Sequence, residues 1–244
     1  MQKMSLDNKY EYNPYPLGKV PVKFQRPELE QVKQMGYEWN DPRDVIDIFE
    51  KKVAKFSGSK FAVSTDSCTH AMELCFRYLL YTGELKKGDI IGLPKRTYIS
   101  AAMLLLNLEF KIDFEDIFWS GIYYFSGSRV FDGATCWSKD MYQGKGALQC
   151  VSFQIKKRIP IGRGGVILCD SQEEYDWFKL ATYDGRDLTT KYDDKNHVKM
   201  LGFHYYMIPE DAARGIILMD SIKEQGDTGN HSMYPNVEEM IKNI

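Results

Sequence analysis

The chain has 244 residues, 43% of them hydrophobic and 27% charged, with a net charge of −2. That balance describes a globular chain of one large domain or two small ones, long enough to bury most of a core, and it gives no electrostatic case for nucleic acid or an anionic membrane as partner. Five scattered cysteines without a CxxC pair argue against a zinc site and a disulfide framework, and fit reduced thiols in the cytoplasm.

Residues 1–40 are expected to form an N-terminal arm, extended over 1–25, where three prolines and several tyrosines follow no period. The first residues are polar and lack the apolar region of a signal peptide, so none is expected. Asp41-Pro42 opens a helix closed at Gly58, with Val45, Ile48, Phe49, Val53 and Phe56 at helical spacing as its core stripe. KFAVSTDS (60–67) reads as a short buried strand, and CTHAMELCFRYLLYTG as a helix closed by Gly83. DIIGLP (89–94) is strand-like and leads into a helix through SAAMLLLN. This apolar run, Tyr98 to Leu106, is too short to span a bilayer. EFKIDF (109–114), IYYF (122–125) and SRVFD (128–132) read as strands, and LQCVSF (148–153) and GGVILCD (164–170) as a strand pair. EEYDWFKLATYDG and PEDAARGIILMDSIKE (209–224) are helical, and the polar tail after Gly226 is expected to fray. The alternation predicts an α/β body over 41–225 with a mostly parallel mixed sheet flanked by helices, followed by a tail over 226–244. Ligands of such sheets sit at the carboxyl ends of the strands.

Several polar clusters fall at those ends. Ser67-Cys68-Thr69 ends a strand and starts a helix, where backbone N–H groups attract phosphate, although such residues also cap helices everywhere. Tyr98 follows the next strand and offers a ring face to a flat ligand, or simply packs. Asp132 ends SRVFD, where a lone acid is commonly a turn residue. Ser152 ends LQCVSF, and Lys156 and Lys157 follow before a glycine-rich return, where basic residues are commonly solvated. GRGG precedes a strand, so it is not a dinucleotide fingerprint. Taken together, the clusters provide a phosphate acceptor, a stacking ring, an acid for a ring nitrogen and a primary amine. Those are the requirements of pyridoxal phosphate.

In chain order the same stretches resemble the DegT/DnrJ/EryC1/StrS family, sugar aminotransferases of the type I pyridoxal phosphate fold. FEKKVAKFSGSKFAVSTDSCTHAMEL resembles the family's opening helix, strand and phosphate-loop helix. KKGDIIGLPKRTYISAA resembles GDEVI.P..TF.AT, VFDGAT resembles the E-D-A-A-Q/H stretch, and SFQIKKRIPIGRGG resembles S-F-H-x-x-K followed by G-E-G-G.

The resemblance implies the type I large domain and pyridoxal 5′-phosphate as cofactor. It makes Lys157, five residues after Ser152, the Schiff-base lysine rather than Lys156. Ser152, Ser67, Cys68 and Thr69 would hold the phosphate, Tyr98 would stack on the ring, Asp132 would pair with the ring nitrogen, and Thr135 would lie near the ring hydroxyl. His204 stands where the family's Asn reaches the neighbouring subunit's cofactor, which implies a homodimer. Arg186 and Arg163 are weaker candidates for substrate contact. The implied reaction moves an amino group from L-glutamate to a keto sugar, nucleotide-linked, without metal, nucleic acid or membrane. The chain departs from the pattern at Cys68, Gln154, Arg163, His204 and Tyr206, and stops where the family's C-terminal small domain is expected to begin. Two alternatives stay open: a sugar dehydratase, against which the retained Lys157 argues, and an inactive cofactor-binding or regulatory homologue.

Overall fold

The structure, a computed structural model, describes residues 26–191, 194–222 and 229–243. The extended arm expected over 1–25 lies outside the described residues. The rest of the expected arm holds a helix, α1 (Glu28–Gln34), whose buried Val32 packs towards the C-terminal helix α6 (Pro209–Ser221). The body follows in the order α2 (Asp44–Ser57), β1 (Phe61–Thr65), α3 (Cys68–Thr82), β2 (Ile90–Pro94), α4 (Ile99–Asn107) and β3 (Lys111–Glu115). Then come β4 (Tyr123–Tyr124), β5 (Val130–Asp132), β6 (Leu148–Ser152), β7 (Gly165–Cys169) and α5 (Gln172–Thr182). After α6 a 3-10 turn at His231–Met233 leads into α7 (Val237–Met240). Gly58 and Gly83 end α2 and α3 in the left-handed conformation, as their positions in the sequence lead one to expect.

The sheet differs from the expectation of mostly parallel pairing. Five strands run in the order β1-β7-β6-β5-β4, and only β5 and β6 pair in parallel. The cause is two reversed strands. The segment joining β6 to β7 has no crossover helix, so β7 returns antiparallel, and it inserts between β1 and β6. β4 turns directly into β5 and is reversed at the edge. β2 and β3 form a parallel pair, joined to the segment after β4 by a bridge between Gly92 and Ser126. Strands β1, β2, β3, β5 and β6 therefore all point the same way, and their carboxyl ends share one rim.

Alternation along the strands divides the core into two layers. Ile167 and Cys169 of β7 face the cluster under α3, α4 and α5, with Leu74, Phe76, Leu105 and Phe178, while Val166 and Leu168 face that under α2 and α6, with Phe49, Val53 and Ile216. Both faces are covered, which is why β6 and β7 read as nearly continuous apolar runs. Cys68, Cys75, Cys136, Cys150 and Cys169 are all free and buried. Among the described residues no helix is long and apolar enough to cross a membrane.

The C-terminal segment corrects the expectation of a frayed tail. Residues 229–243 return across the strand rim: Gly229 accepts from Gly121 N–H at 2.8 Å, His231 N–H donates to Trp119 O at 3.1 Å, and Val237 N–H donates to Lys95 O at 2.7 Å. Val237 is fully buried and Tyr234 and Ile241 pack against the same core, so these side chains and a set of backbone bonds hold down a segment whose composition is otherwise largely polar.

Candidate active site

A cavity of about 550 Å³ opens where β1, β2, β5 and β6 end. Its floor begins at the N-terminus of α3. Ser67 caps this helix, its Oγ accepting the His70 N–H at 3.2 Å. No partner within the described residues takes the N–H groups of Cys68 and Thr69, which leaves the positive end of a fifteen-residue helix aimed at the cavity wall. Thr69 Oγ1 donates to Ser100 Oγ at 2.9 Å, tying this terminus to the start of α4. Tyr98, just before α4, lines the cavity with 61% of its surface exposed, so its ring is free to cover a ligand.

Asp132 is the buried charge of the site. It ends β5 at 6% exposure, with Oδ2 accepting from Tyr123 OH and Oδ1 from Ala134 N–H, at 2.7 and 2.8 Å. Burial pushes its carboxyl above the usual range, while the Ala134 N–H, the Tyr123 hydroxyl and the Lys157 ammonium act in the opposite sense. Burial, with Asp132 adding to it, also pushes the Cys68 thiol well up, so Cys68 contributes its backbone rather than a thiolate.

Ser152 is buried at the end of β6, and the next turn brings Lys157 to the cavity wall. That turn closes through Lys157 N–H donating to Gln154 O at 2.8 Å, and Lys156 N–H donating to Gln154 Oε1 at 2.8 Å. Lys157 is half-buried and Lys156 exposed, though both reach the cavity. The return strand passes the helix very closely: a Cβ on Gly165 would sit 2.5 Å from the Cys68 backbone nitrogen. Only glycine lets β7 start there while α3 begins beside it. Arg163 stands at the mouth, 69% exposed, and donates from Nη2 to Asp66 Oδ2 at 2.9 Å.

The cavity thus gathers Ser67, Cys68, Thr69, Tyr98, Asp132, Thr135, Ser152 and Lys157, together with Arg163. Thr135 Oγ1 donates to Gly121 O at 2.9 Å. Arg186 does not belong to this group: it lines a second cavity of about 610 Å³, lies over the Tyr183 ring at 4.6 Å and faces Asp184 at 3.6 Å. His204 lies outside both cavities, 68% exposed, with Nδ1 3.0 Å from Asp184 Oδ2. Sequence reasoning missed Thr97, Trp119, Tyr123, Met233 and Tyr234, which also line the first cavity. Strand alternation in IYYF could have singled out one inward tyrosine. Nothing local marks Met233 and Tyr234, which arrive with the returning C-terminal segment. Among the described residues no group of three or more His, Cys, Asp or Glu is placed to hold a metal.

The sequence profile of the DegT/DnrJ/EryC1/StrS aminotransferase family matches residues 23–119 and 133–233. No curated protein matches the sequence. Among solved structures, AtS13 from Actinomadura melliaura superposes with a TM-score of 0.62 at 18% identity, over 81% of this chain and 65% of that one. A GDP-4-keto-6-deoxymannose-3-dehydratase with a trapped PLP-glutamate geminal diamine gives 0.61 at 17% identity, over 80% of this chain and 64% of that one. The sugar aminotransferase CalS13 from Micromonospora echinospora gives 0.61 at 14% identity, over 80% and 64%. At these identities the likeness establishes a shared fold, that of the type I pyridoxal phosphate enzymes. The chain spans slightly less than two thirds of the length of these proteins.

Proposed function

Because this chain belongs to the DegT/DnrJ/EryC1/StrS aminotransferase family, we propose that its rim cavity binds pyridoxal 5′-phosphate and that the protein is an aminotransferase, moving an amino group from L-glutamate to a nucleotide-linked keto sugar. The observation that carries this reading is the convergence of Lys157, buried Asp132 and the unpartnered N-terminus of α3 on one cavity. The residues fit the group. A phosphate suits the Cys68 and Thr69 N–H groups with Ser152 Oγ, a flat ring suits Tyr98, and a protonated ring nitrogen suits the buried Asp132 carboxylate.

When bound, the cofactor supplies an electron sink for a carbanion. The chain's own residues supply the rest. Lys157 Nζ would be the primary amine that anchors the cofactor, and the base that would carry the proton from the substrate carbon to the cofactor's former aldehyde carbon. Asp132 would hold the positive charge on the ring nitrogen. Tyr98 would cover one ring face, and Thr135 would meet the ring hydroxyl. Met233 and Tyr234 line the cavity and would limit water beside a bound ligand. Arg163, displaced from Asp66, would meet an anionic group of the substrate. The exposed position of His204 suits a reach into a neighbour's cavity, so the working form is proposed as a homodimer, and the five free cysteines suit a cytoplasmic setting.

Absorbance of the protein with pyridoxal phosphate, before and after L-glutamate, tests the cofactor and the donor together. Borohydride reduction should fix the cofactor mass on the Lys157 peptide in wild type and Lys156→Ala, and on no peptide in Lys157→Ala. Glutamate should bleach the visible band. Cofactor on Lys156 instead would move the catalytic role to the neighbour, and no incorporation in wild type would favour the regulatory reading. Sedimentation velocity tests the dimer.

A further inference from the structure

Tyr123 and Asp132 are direct partners across the β4–β5 pair, so their side chains leave the strands on the same face. This pair lies in 120–132, the stretch between the two segments matched by the family profile. The Tyr123 hydroxyl is 2.7 Å from Asp132 Oδ2 and 2.8 Å from Thr97 Oγ1. All three groups are buried, Thr97 to 1% exposure, Tyr123 to 5% and Asp132 to 6%. The ring is fixed by Trp119 and Phe125, with centroids 5.1 and 5.5 Å away.

The direction of the hydrogen bonds follows from proton counting. Burial and the adjacent carboxylate push the Tyr123 hydroxyl well above its usual range, so it keeps its proton and gives it to Asp132. Thr97 must then donate to the phenol oxygen, and the chain runs Thr97 to Tyr123 to Asp132. Oδ1 is held by Ala134 N–H. With one donor on each oxygen, the carboxylate is locked in rotation and its remaining lone pairs are left for the cavity. The other groups near it are Lys157, the Cys68 and Cys150 thiols and the Tyr234 hydroxyl.

We propose that Tyr123 is a positioning residue: with Thr97 behind it, it orients Asp132 and holds it ionised for a cationic ring nitrogen. The role rests on the reading of the cavity as a pyridoxal phosphate site, although the coupling between the two side chains does not.

Two measurements on the full chain separate these. In the ligand-free protein, the carbon-13 carboxyl signal of Asp132, assigned by its loss in Asp132→Asn, is titrated in wild type, Tyr123→Phe and Thr97→Val. The midpoint should rise in Tyr123→Phe, and rise less in Thr97→Val, which keeps the phenol but removes its donor. Pyridoxal phosphate affinity is then read by quenching of tryptophan fluorescence between about pH 5 and pH 8. Tyr123→Phe should weaken binding about tenfold at the acid end, where Asp132 takes up a proton, and approach wild type at the basic end. In an Asp132→Asn background it should have no further effect. An unmoved carboxyl midpoint overturns the inference, as does an equal loss of affinity with and without Asp132, which would mark a merely structural tyrosine. A shifted midpoint in a protein that does not bind the cofactor would sink the cofactor reading and leave the coupling intact.

Discussion

Asp132 resists ionisation because it is buried, so the folded chain holds its proton more tightly than the unfolded chain does. A carboxyl raised in this way contributes stability below its unfolded pKa, and that contribution is lost as pH rises through the folded value. Asp132→Asn should therefore raise the thermal midpoint of the cofactor-free protein at pH 7 by a few degrees, and the advantage should close below about pH 4. The amide fits the same network in reverse: its oxygen takes the Ala134 N–H, its nitrogen donates to Tyr123, and Tyr123 turns to donate to Thr97. The same variant should lose cofactor affinity. A gain in affinity, or a thermal difference that ignores pH, would contradict the role given to this side chain. Sites that must hold a charge commonly give up stability in this way.

At the scale of elements, the close pass of β7 over the start of α3 carries the most consequence. In Gly165→Ala the new methyl would lie 2.6 Å from the Cys68 Cα, and because the obstacle is backbone it cannot rotate away. The variant should lose about 1–3 kcal/mol in urea unfolding and weaken pyridoxal phosphate binding as the Cys68 and Thr69 N–H groups turn from the cavity. An unchanged midpoint and affinity would show that the helix start is free to shift. The helices and strands of the body were legible in the sequence, whereas α1 and α7 were not. The periodicity through Val45, Phe49 and Val53, the end signals at Gly58 and Gly83, and the apolar runs at 148–153 and 164–170 each act within a few residues. Strand direction was not, because pairing such as Gly165 with Thr65 joins residues far apart in sequence and leaves no local mark. The same holds for the site. Lys157, Asp132 and Ser152 stand out at strand ends. Tyr123 acts through Thr97 and Asp132, contacts that exist only once the chain has folded.

For the whole molecule, the return of residues 229–243 makes the cavity a joint product of distant parts of the chain. Met233 and Tyr234 reach it because the segment is held on both sides of them, by the Gly229 and His231 backbone bonds and by buried Val237, whose N–H is bonded to Lys95 O. Val237→Asp places a carboxylate in that apolar seat, and undocking the segment is cheaper than burying the charge. The body should remain folded, losing about 1–3 kcal/mol in urea, because the segment adds Val237 to the core under α3 but nothing to the core under α2. Trp119, which packs against Tyr234 with centroids 5.6 Å apart, should shift its emission to the red. Cofactor should then enter and leave faster. Collapse of the whole fold would show that the body cannot stay folded without the segment. The burial of all five thiols has a consequence of another kind. A thiol reagent meets Cys68 only through the cavity that it lines, and each of the other cysteines can be labelled only as often as its own surroundings open. Cys68 records breathing at the rim, and Cys75, Cys150 and Cys169 record separation of the layers. The chain thus carries a set of clocks, placed at different depths, that time its own unfolding without any added probe.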